Sequence, residues 1–515
     1  DRHDLTRCAR VNKQWHALAI PHIWRDTTGD FPSSERLDVF RRMILEDYLQ
    51  ENGHEGGPPQ PSALSKYGHL IRLLPNPELI GRLRSKARTQ QGNEPTDHDL
   101  ILQLFKRSSK AQVRYLDYLF RDRESDSMQS ILAFTLPRLR SLAIHTKLQG
   151  AQTKFIKLKN LLNQCSTTLE WLSINLSIKH GYKVVNMDDE ATGCESICWT
   201  SLKKLTLRHF PDDWDAGSFW SWMWKRCGQV EKLYVKAINK SAPSLAQAML
   251  AYMPNLQKIA MGDYNCLANV DPLIAMEDDV IAALLSGSRH GWKSIKLEWT
   301  TKAGQKTMDA LAMHYSTLEV LRSGCRKPLP SCDVVQVLRS CPHLHALGHA
   351  DTRSGSGMID GMAFVDLDPD TGLLKPWLCE GSLKALLVKI SVIPRPSSEE
   401  SGVAEAYPGQ RREIQSHVYD RIARLTHLEN LVLGYGGYDS SKDCEVSLEM
   451  SLESGLDKLS VLKSLRGLNV DGLATKIGTQ EVQWMLENWP KLVGVRGLNW
   501  PRMVEAVKRL EENSV

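Results

Sequence analysis

No stretch of about 18 consecutive apolar residues occurs in this chain of 515, so no membrane-spanning helix is expected and no membrane partner is assigned. Charge of one sign is not in excess either. The 65 Lys and Arg against 60 Asp and Glu leave a net +5, too weak over this length to imply nucleic acid as a partner. The opening DRHDLTRCARVNKQW lacks the apolar core of a secretory signal and an initiator Met, so the sequence is expected to be cut short at its N-terminus. Cysteine is present, with 11 residues, but the number is odd and the spacing irregular. Several cysteines sit in apolar helical stretches, as in Leu161–Cys165 and Val334–Cys341, where a free thiol packs as a small hydrophobe. No disulfide framework follows, and the expected compartment is reducing, cytoplasm or nucleus.

Motifs that carry chemistry are also scarce. No Walker-type phosphate loop, HExxH or GxSxG occurs. Gly355, Gly357 and Gly361 have the wrong last spacing for a dinucleotide fingerprint and read as loop. Asp366, Asp368 and Asp370 start like a calcium loop, but the glycine, Gly372, comes one residue late and the bidentate glutamate position holds Trp377. Cys325, Cys332, Cys341 and His343 offer four soft ligands in principle, yet Cys341 ends an apolar helical stretch and reads as core. The expectation is a protein that is not an enzyme and takes no cofactor and no metal.

What the chain does have is a repeat. The pattern apolar-x-x-apolar-x-apolar recurs from anchors at Val113, Leu139, Leu169, Leu202, Val230, Leu256, Trp292, Leu318, Leu344, Leu383, Leu428, Leu465 and Leu492, with spacings from 26 to 45 residues. Its period of two is that of a short strand with one face buried. The stretches before many anchors have helical period, as at Leu245-AQAMLAYM, Val280-IAALLSG, Met308-DALAMHY, Val334-VQVLRSC and Val482-QWMLENW. Pro254, Pro342 and Pro490 stand between helix and strand, where proline stops a helix. One such unit cannot bury both its helix and its strand, but stacked units share a continuous core. Unrelated α/β domains would also alternate strand and helix; 13 similar strands at near-constant spacing argue against them. The expected fold class is α/β, a leucine-rich-repeat solenoid or horseshoe over residues 63–500. Polar inserts near 181–198, 350–372 and 394–411 are expected as surface loops, and residues 501–515 as a capping helix.

The front of the chain differs. Residues 4–24, DLTRCARVNKQWHALAIPHIW, place a dense apolar set on two short helices; residues 27–62 read as a further helix and a Gly/Pro-rich linker. The string Asp4-Leu5-x-x-Cys8-Ala9-x-Val11-x-x-x-Trp15-x-x-Leu18-Ala19-x-Pro21-x-x-Trp24 resembles the second half of an F-box, without the family's first helix. Such a partial, all-helical F-box over residues 1–26, followed by irregular leucine-rich repeats, resembles the fungal F-box/leucine-rich-repeat proteins. Residues 66–74, KYGHLIRLL, are similar to the first strand segment of that group. The resemblance implies a Skp-type adaptor as partner and, through it, a cullin–RING ubiquitin ligase, with the repeats binding an unidentified protein substrate. It further implies that Leu5, Val11, Trp15, Leu18, Pro21 and Trp24 face the adaptor or form the F-box core.

Two other features bear on binding. Trp214, Trp220, Trp222 and Trp224 cluster beside acidic residues; Trp220 and Trp224, four apart, share a helix face, while Trp222 points elsewhere and is either core or a partner contact. Lys204, Arg208, Lys232, Lys236, Lys293, Lys296 and Glu298 fall at outward strand positions and form a candidate target-binding face, its lysines suited to an acidic peptide. The expected function is therefore a non-catalytic substrate-recognition subunit. The alternatives are a repeat scaffold with no ligase role and an enzyme whose site lies in an insert such as 350–372.

Overall fold

The computed structural model describes residues 115–120, 139–148, 158–159, 162–163, 165, 167–178, 198–208, 217–236, 242–262, 276–298, 301–324, 329–349, 358–393, 408–434, 446–471, 473–475 and 477–497. The partial F-box, the 27–62 segment, the 66–74 strand candidate, residues 181–197 and the expected capping helix lie outside them. The chain divides into two compact units, residues 1–234 with 251–255 and residues 235–250 with 256–515.

The first unit holds β1 (Tyr115–Phe120), β2 (Ser141–Leu148), β3 (Trp171–Ile178) and β4 (Lys204–Arg208), parallel and paired in that order. Helix α1 (Gly217–Trp224) leads to β5 (Lys232–Val235), whose Lys232 amide donates to the Lys203 carbonyl. Leu142, Leu172 and Leu205 lie in register and fully buried, and Ile144, Ile174 and Leu207 repeat the arrangement two residues on.

The second unit repeats helix and strand: α2 (Ala242–Tyr252, residues 242–250 in this unit), β6 (Lys258–Met261), α3 (Asp278–Leu285), β7 (Ser294–Leu297), α4 (Gln305–Ala312), β8 (Val320–Ser323), α5 (Ser331–Ser340) and β9 (Ala346–His349). There follow β10 (Met358–Asp360), α6 (Gly361–Val365), β11 (Ala385–Ser391), α7 (Pro408–Ala423), β12 (Asn430–Gly434), β13 (Glu449–Met450), β14 (Gly467–Val470), β15 (Ala474–Thr475), α8 (Thr479–Asn488) and β16 (Gly494–Arg496). β6, β7, β8, β9, β11, β12, β14 and β16 pair in parallel in that sequence. β10 pairs with the far end of β11, and β13 with β15.

Each anchor read from the sequence stands two residues before a strand, from Val113 before Tyr115 to Leu492 before Gly494. The cause is visible in the backbone. The anchor side chains from Leu139 to Leu465 are buried, as at Leu318, Leu344 and Leu383, all 0 % exposed. The carbonyl of the next residue then accepts two successive amides from the following unit: Lys293 O takes Glu319 and Val320, and Lys384 O takes Glu429 and Asn430. Behind the strands, Ile259, Ile295, Leu321, Leu347, Leu386, Leu431 and Leu468 form one buried row in register, none more than 2 % exposed. Each such side chain contributes about 1.5–3 kcal/mol of transfer free energy. The helices close over them with Leu245 and Met249, Ile281 and Leu285, Met308 and Leu311, and Val334 and Leu338.

The insert near 350–372 departs from the expectation of a polar surface loop. Residues 350–357 lie outside the described residues, but 358–365 form β10 and α6, with Ile359, Phe364 and Val365 fully buried. Gly361, read as loop, begins α6: a Cβ there would stand 2.6 Å from the Ser391 carbonyl oxygen, so the close approach requires glycine. The insert near 394–411 also ends early, because α7 starts at Pro408, where proline's missing N–H costs nothing.

One buried arginine fastens this region. Arg421, 0 % exposed, donates to the carbonyls of Val365, Asp366 and Lys375 and to Glu380 Oε1 at 3.1 Å, and its guanidinium lies 4.4 Å from the Trp377 ring centre. Asp366, in the left-handed region with φ 55°, pairs with Arg339 and accepts from Trp377 Nε1 at 3.3 Å. A planar five-donor cation suits a site ringed by carbonyls where lysine would leave acceptors unmet.

Candidate protein-interaction face

Alternation along each strand sends one set of side chains to the core and the other to the opposite face. In the first unit that face carries Trp171 and Lys204 in register. The Lys204 ammonium lies 4.2 Å from the Trp171 ring centre and 4.7 Å from that of Tyr234, and Trp171 Nε1 donates to Thr206 Oγ1 at 3.1 Å. All three are half-buried, so Lys204 sits between two rings whose faces attract it. Lys232 and Arg208 are half-buried on the same strands' outward positions.

In the second unit, charges are sorted by position. Immediately after the anchors, neighbouring units alternate in sign: Lys293 lies 3.6 Å from Glu319, Lys384 lies 3.8 Å from Glu429, and Arg466 lies 4.0 Å from Glu429. The first unit shows the same device in Arg140–Glu170 at 2.9 Å and Lys203–Glu231 at 3.1 Å. Exposed pairs of this kind are worth about 0–1 kcal/mol each and chiefly keep like charges apart. Lys293, a candidate target contact, is thus engaged within the sheet.

The outward row of the second unit breaks that rule. Lys296 on β7 stands in register with Arg322 on β8, and Lys258 opens the adjacent β6. Burial first, then the charges of Arg322 and Lys258, hold Lys296 below the usual lysine pKa, against the opposing pull of Glu298. Lys258 and Arg322 were not among the sequence candidates; only strand register shows that they adjoin Lys296. Beyond Arg322 the row continues with Gly348, then half-buried Leu387 and Val432. Lys236 and Glu298 flank strands β5 and β7 and are half-buried.

The other sequence candidates fall as follows. Leu5, Val11, Trp15, Leu18, Pro21 and Trp24 lie outside the described residues. Trp220 and Trp224 share a face and stack at 5.4 Å. Trp222, which points elsewhere, is also buried, edge-on to Trp199 at 5.7 Å, so the exposed-partner reading of this cluster is corrected; Trp214 lies outside the described residues. Cys341 is buried while Cys332 and His343 are exposed, and Cys325 is outside the described residues. Asp366 is committed to Arg339, whereas Asp368 accepts the amides of Asp370 and Thr371, which hold its carboxyl below the ordinary value. Among the described residues no group of three or more His, Cys, Asp or Glu is placed to hold a metal, and no helix is long and apolar enough to cross a membrane.

No family model matches the chain, and no curated protein sequence matches it. Among solved structures it is similar to the one described as the crystal structure of the Rad7 and Elc1 complex in yeast, with a TM-score of 0.35 and 13% identity over 90% of this chain and 92% of that one. Likeness at that level leaves both fold and function to be argued from this chain's own residues.

Proposed function

We propose that this chain is a non-catalytic substrate-recognition subunit of a Skp–cullin–F-box ubiquitin ligase. In this reading the repeated units continue as one leucine-rich-repeat solenoid, or horseshoe, with a partial F-box at its front. Leu5, Val11, Trp15, Leu18, Pro21 and Trp24 meet the Skp-type adaptor, which joins the chain to a cullin–RING ligase. The outward strand faces hold the target protein, and the chain contributes proximity, raising the effective concentration of target lysines near the charged ubiquitin. The assembly works in the cytoplasm or nucleus.

The observation that supports this reading most is a juxtaposition. The F-box-like string at 4–24 precedes parallel strand–helix units whose outward positions carry aromatic and cationic side chains, the composition of interaction surfaces. The test is capture of purified Skp-type adaptor by the full chain. Capture is expected, with a loss of tenfold or more in affinity for the Leu5→Ala/Trp15→Ala double variant. Absence of capture removes the ligase assignment and leaves an interaction scaffold without a ligase role.

A further inference from the structure

The outward face of the second unit holds an arrangement that folding alone does not call for. Like charges placed opposite one another on neighbouring strands are destabilising. The edge row of the same sheet avoids this, setting Lys293 against Glu319 and Lys384 against Glu429. One row over, Lys296 faces Arg322 across β7 and β8, with Lys258 on the diagonal, and Glu298 is the acidic group that tempers Lys296. Local placements that cost stability and are only partly offset, as here by Glu298 among the described residues, mark functional positions.

The surroundings specify what answers these cations. Arg322 leans over Gly348, whose missing Cβ would stand 3.4 Å from Arg322 Cγ. Beyond that glycine the row is aliphatic, Leu387 then Val432, and the row beside it carries Val320, Ala346 and Ala385, all half-buried. Towards β12 cationic character thus stops at β8 and an apolar strip follows, while on the other side Lys236 flanks β5 as a further cation. A nucleic-acid backbone or an anionic membrane would call for positive charge to continue along the surface. The three cations also stand on three separate strands, about 4.8 Å apart from one strand to the next, a spread that suits several carboxylates better than one compact phosphoryl group.

We propose that the outward face from β6 to β12 binds an extended segment of a partner polypeptide, rich in Asp and Glu at one end and aliphatic at the other. The acidic end lies over Lys258, Lys296 and Arg322, and the aliphatic end over Leu387 and Val432. The distance from β6 to β12 is about 24 Å, which about seven extended residues cover. This rests on the reading of the strand face as a protein-binding surface and is independent of the adaptor.

The test uses the full chain with no adaptor present. Fluorescence anisotropy is read with a labelled Asp-Glu-Asp-Gly-Leu-Gly-Val peptide in Gly/Ser flanks, and with its reversed sequence. Saturable binding is expected for one direction. It should weaken tenfold or more when the acids become Asn and Gln, when Leu and Val become Ser, or in the Arg322→Glu and Leu387→Asp variants. A peptide with Lys in place of the acids should prefer the Lys296→Glu/Arg322→Glu protein to the unaltered one. Circular dichroism checks that each variant is folded; Arg322 is exposed, so its reversal tests the charge without disturbing the core. The proposal is overturned if neither peptide direction binds, if the acidic and amide peptides bind alike, or if Arg322→Glu leaves binding unchanged. It is equally overturned if a phosphoserine peptide, a single-stranded oligonucleotide or phosphatidylserine vesicles bind more tightly than the acidic peptide. Failure here leaves adaptor capture standing, and failure of adaptor capture leaves this result standing.

Discussion

The carbonyl of Leu285, at the end of α3, has no partner within its helix and lies in the core. Trp292 Nε1 donates to it at 2.6 Å and His314 Nε2 at 3.0 Å, with the two rings edge-on at 6.4 Å. Since a carbonyl can only accept, the bond requires a proton on His314 Nε2. Burial pushes the His314 pKa below its ordinary value, more strongly than the Leu285 bond raises it. The group is therefore neutral in the folded state and charges more readily when unfolded. Its contribution to stability is present above the ordinary histidine pKa of about 6.5 and is lost as pH falls below that value towards the lowered one. Urea unfolding followed from pH 7.5 to pH 5 should show a steeper loss of stability for the unaltered protein than for His314→Gln, which keeps a donor and does not titrate. Equal slopes would remove His314 from the account. None of this was legible in the sequence, where His314 was one of 16 scattered histidines. The outward cations were half legible: Lys296 alternates with buried neighbours along its strand, but the closeness of Lys258 and Arg322 is a property of register between units.

At the scale of elements, the strands were legible because the anchor residue has two physical duties at once. It must be apolar to fill the core beneath the turn, and it must precede a strand that alternates. Few sequences satisfy both by chance at regular spacing. The joints between units were not legible. Asp278 lies in the first turn of α3, yet its carboxylate caps α4, accepting the amides of Gly304, Lys306 and Thr307 at 2.8, 3.0 and 2.9 Å and the Thr307 hydroxyl at 2.6 Å. Burial would raise its pKa, but the Thr307 hydroxyl and the three amides prevail and hold it below the ordinary carboxylate value. Asp278→Ala should cost about 1–2 kcal/mol in urea denaturation, and Asp278→Asn less. The Ala variant's deficit should shrink on acidification, because the cap's contribution is present above the ordinary Asp pKa and lost as pH falls through the lowered one. A deficit that does not change with pH would mean the cap acts through packing alone. β10 and α6 were missed for a different reason: Ile359, Phe364 and Val365 are apolar, but they are few and sit among Gly and Asp, and their burial comes from partners distant in sequence, with Ile359 in register with Ile390 of β11, Phe364 edge-on to Trp377 at 5.1 Å, and the Val365 carbonyl held by Arg421 of α7.

At the scale of the whole molecule, the two units repeat one solution, a buried apolar ladder on one side of parallel strands and a patterned polar face on the other. The core ladder explains stability and leaves the outward positions free to vary, so function was legible only as a surface without a ligand. The central claim is that a partner polypeptide lies on this outward face and away from the helices behind it. The most direct measurement is amide hydrogen exchange of the full chain, alone and bound to a partner polypeptide purified with it. The account predicts slowed exchange at 258–261, 294–298, 320–323, 385–388 and 430–433, with α3, α4 and α5 unchanged. Slowing confined to those helices, with the strands unaffected, would contradict it.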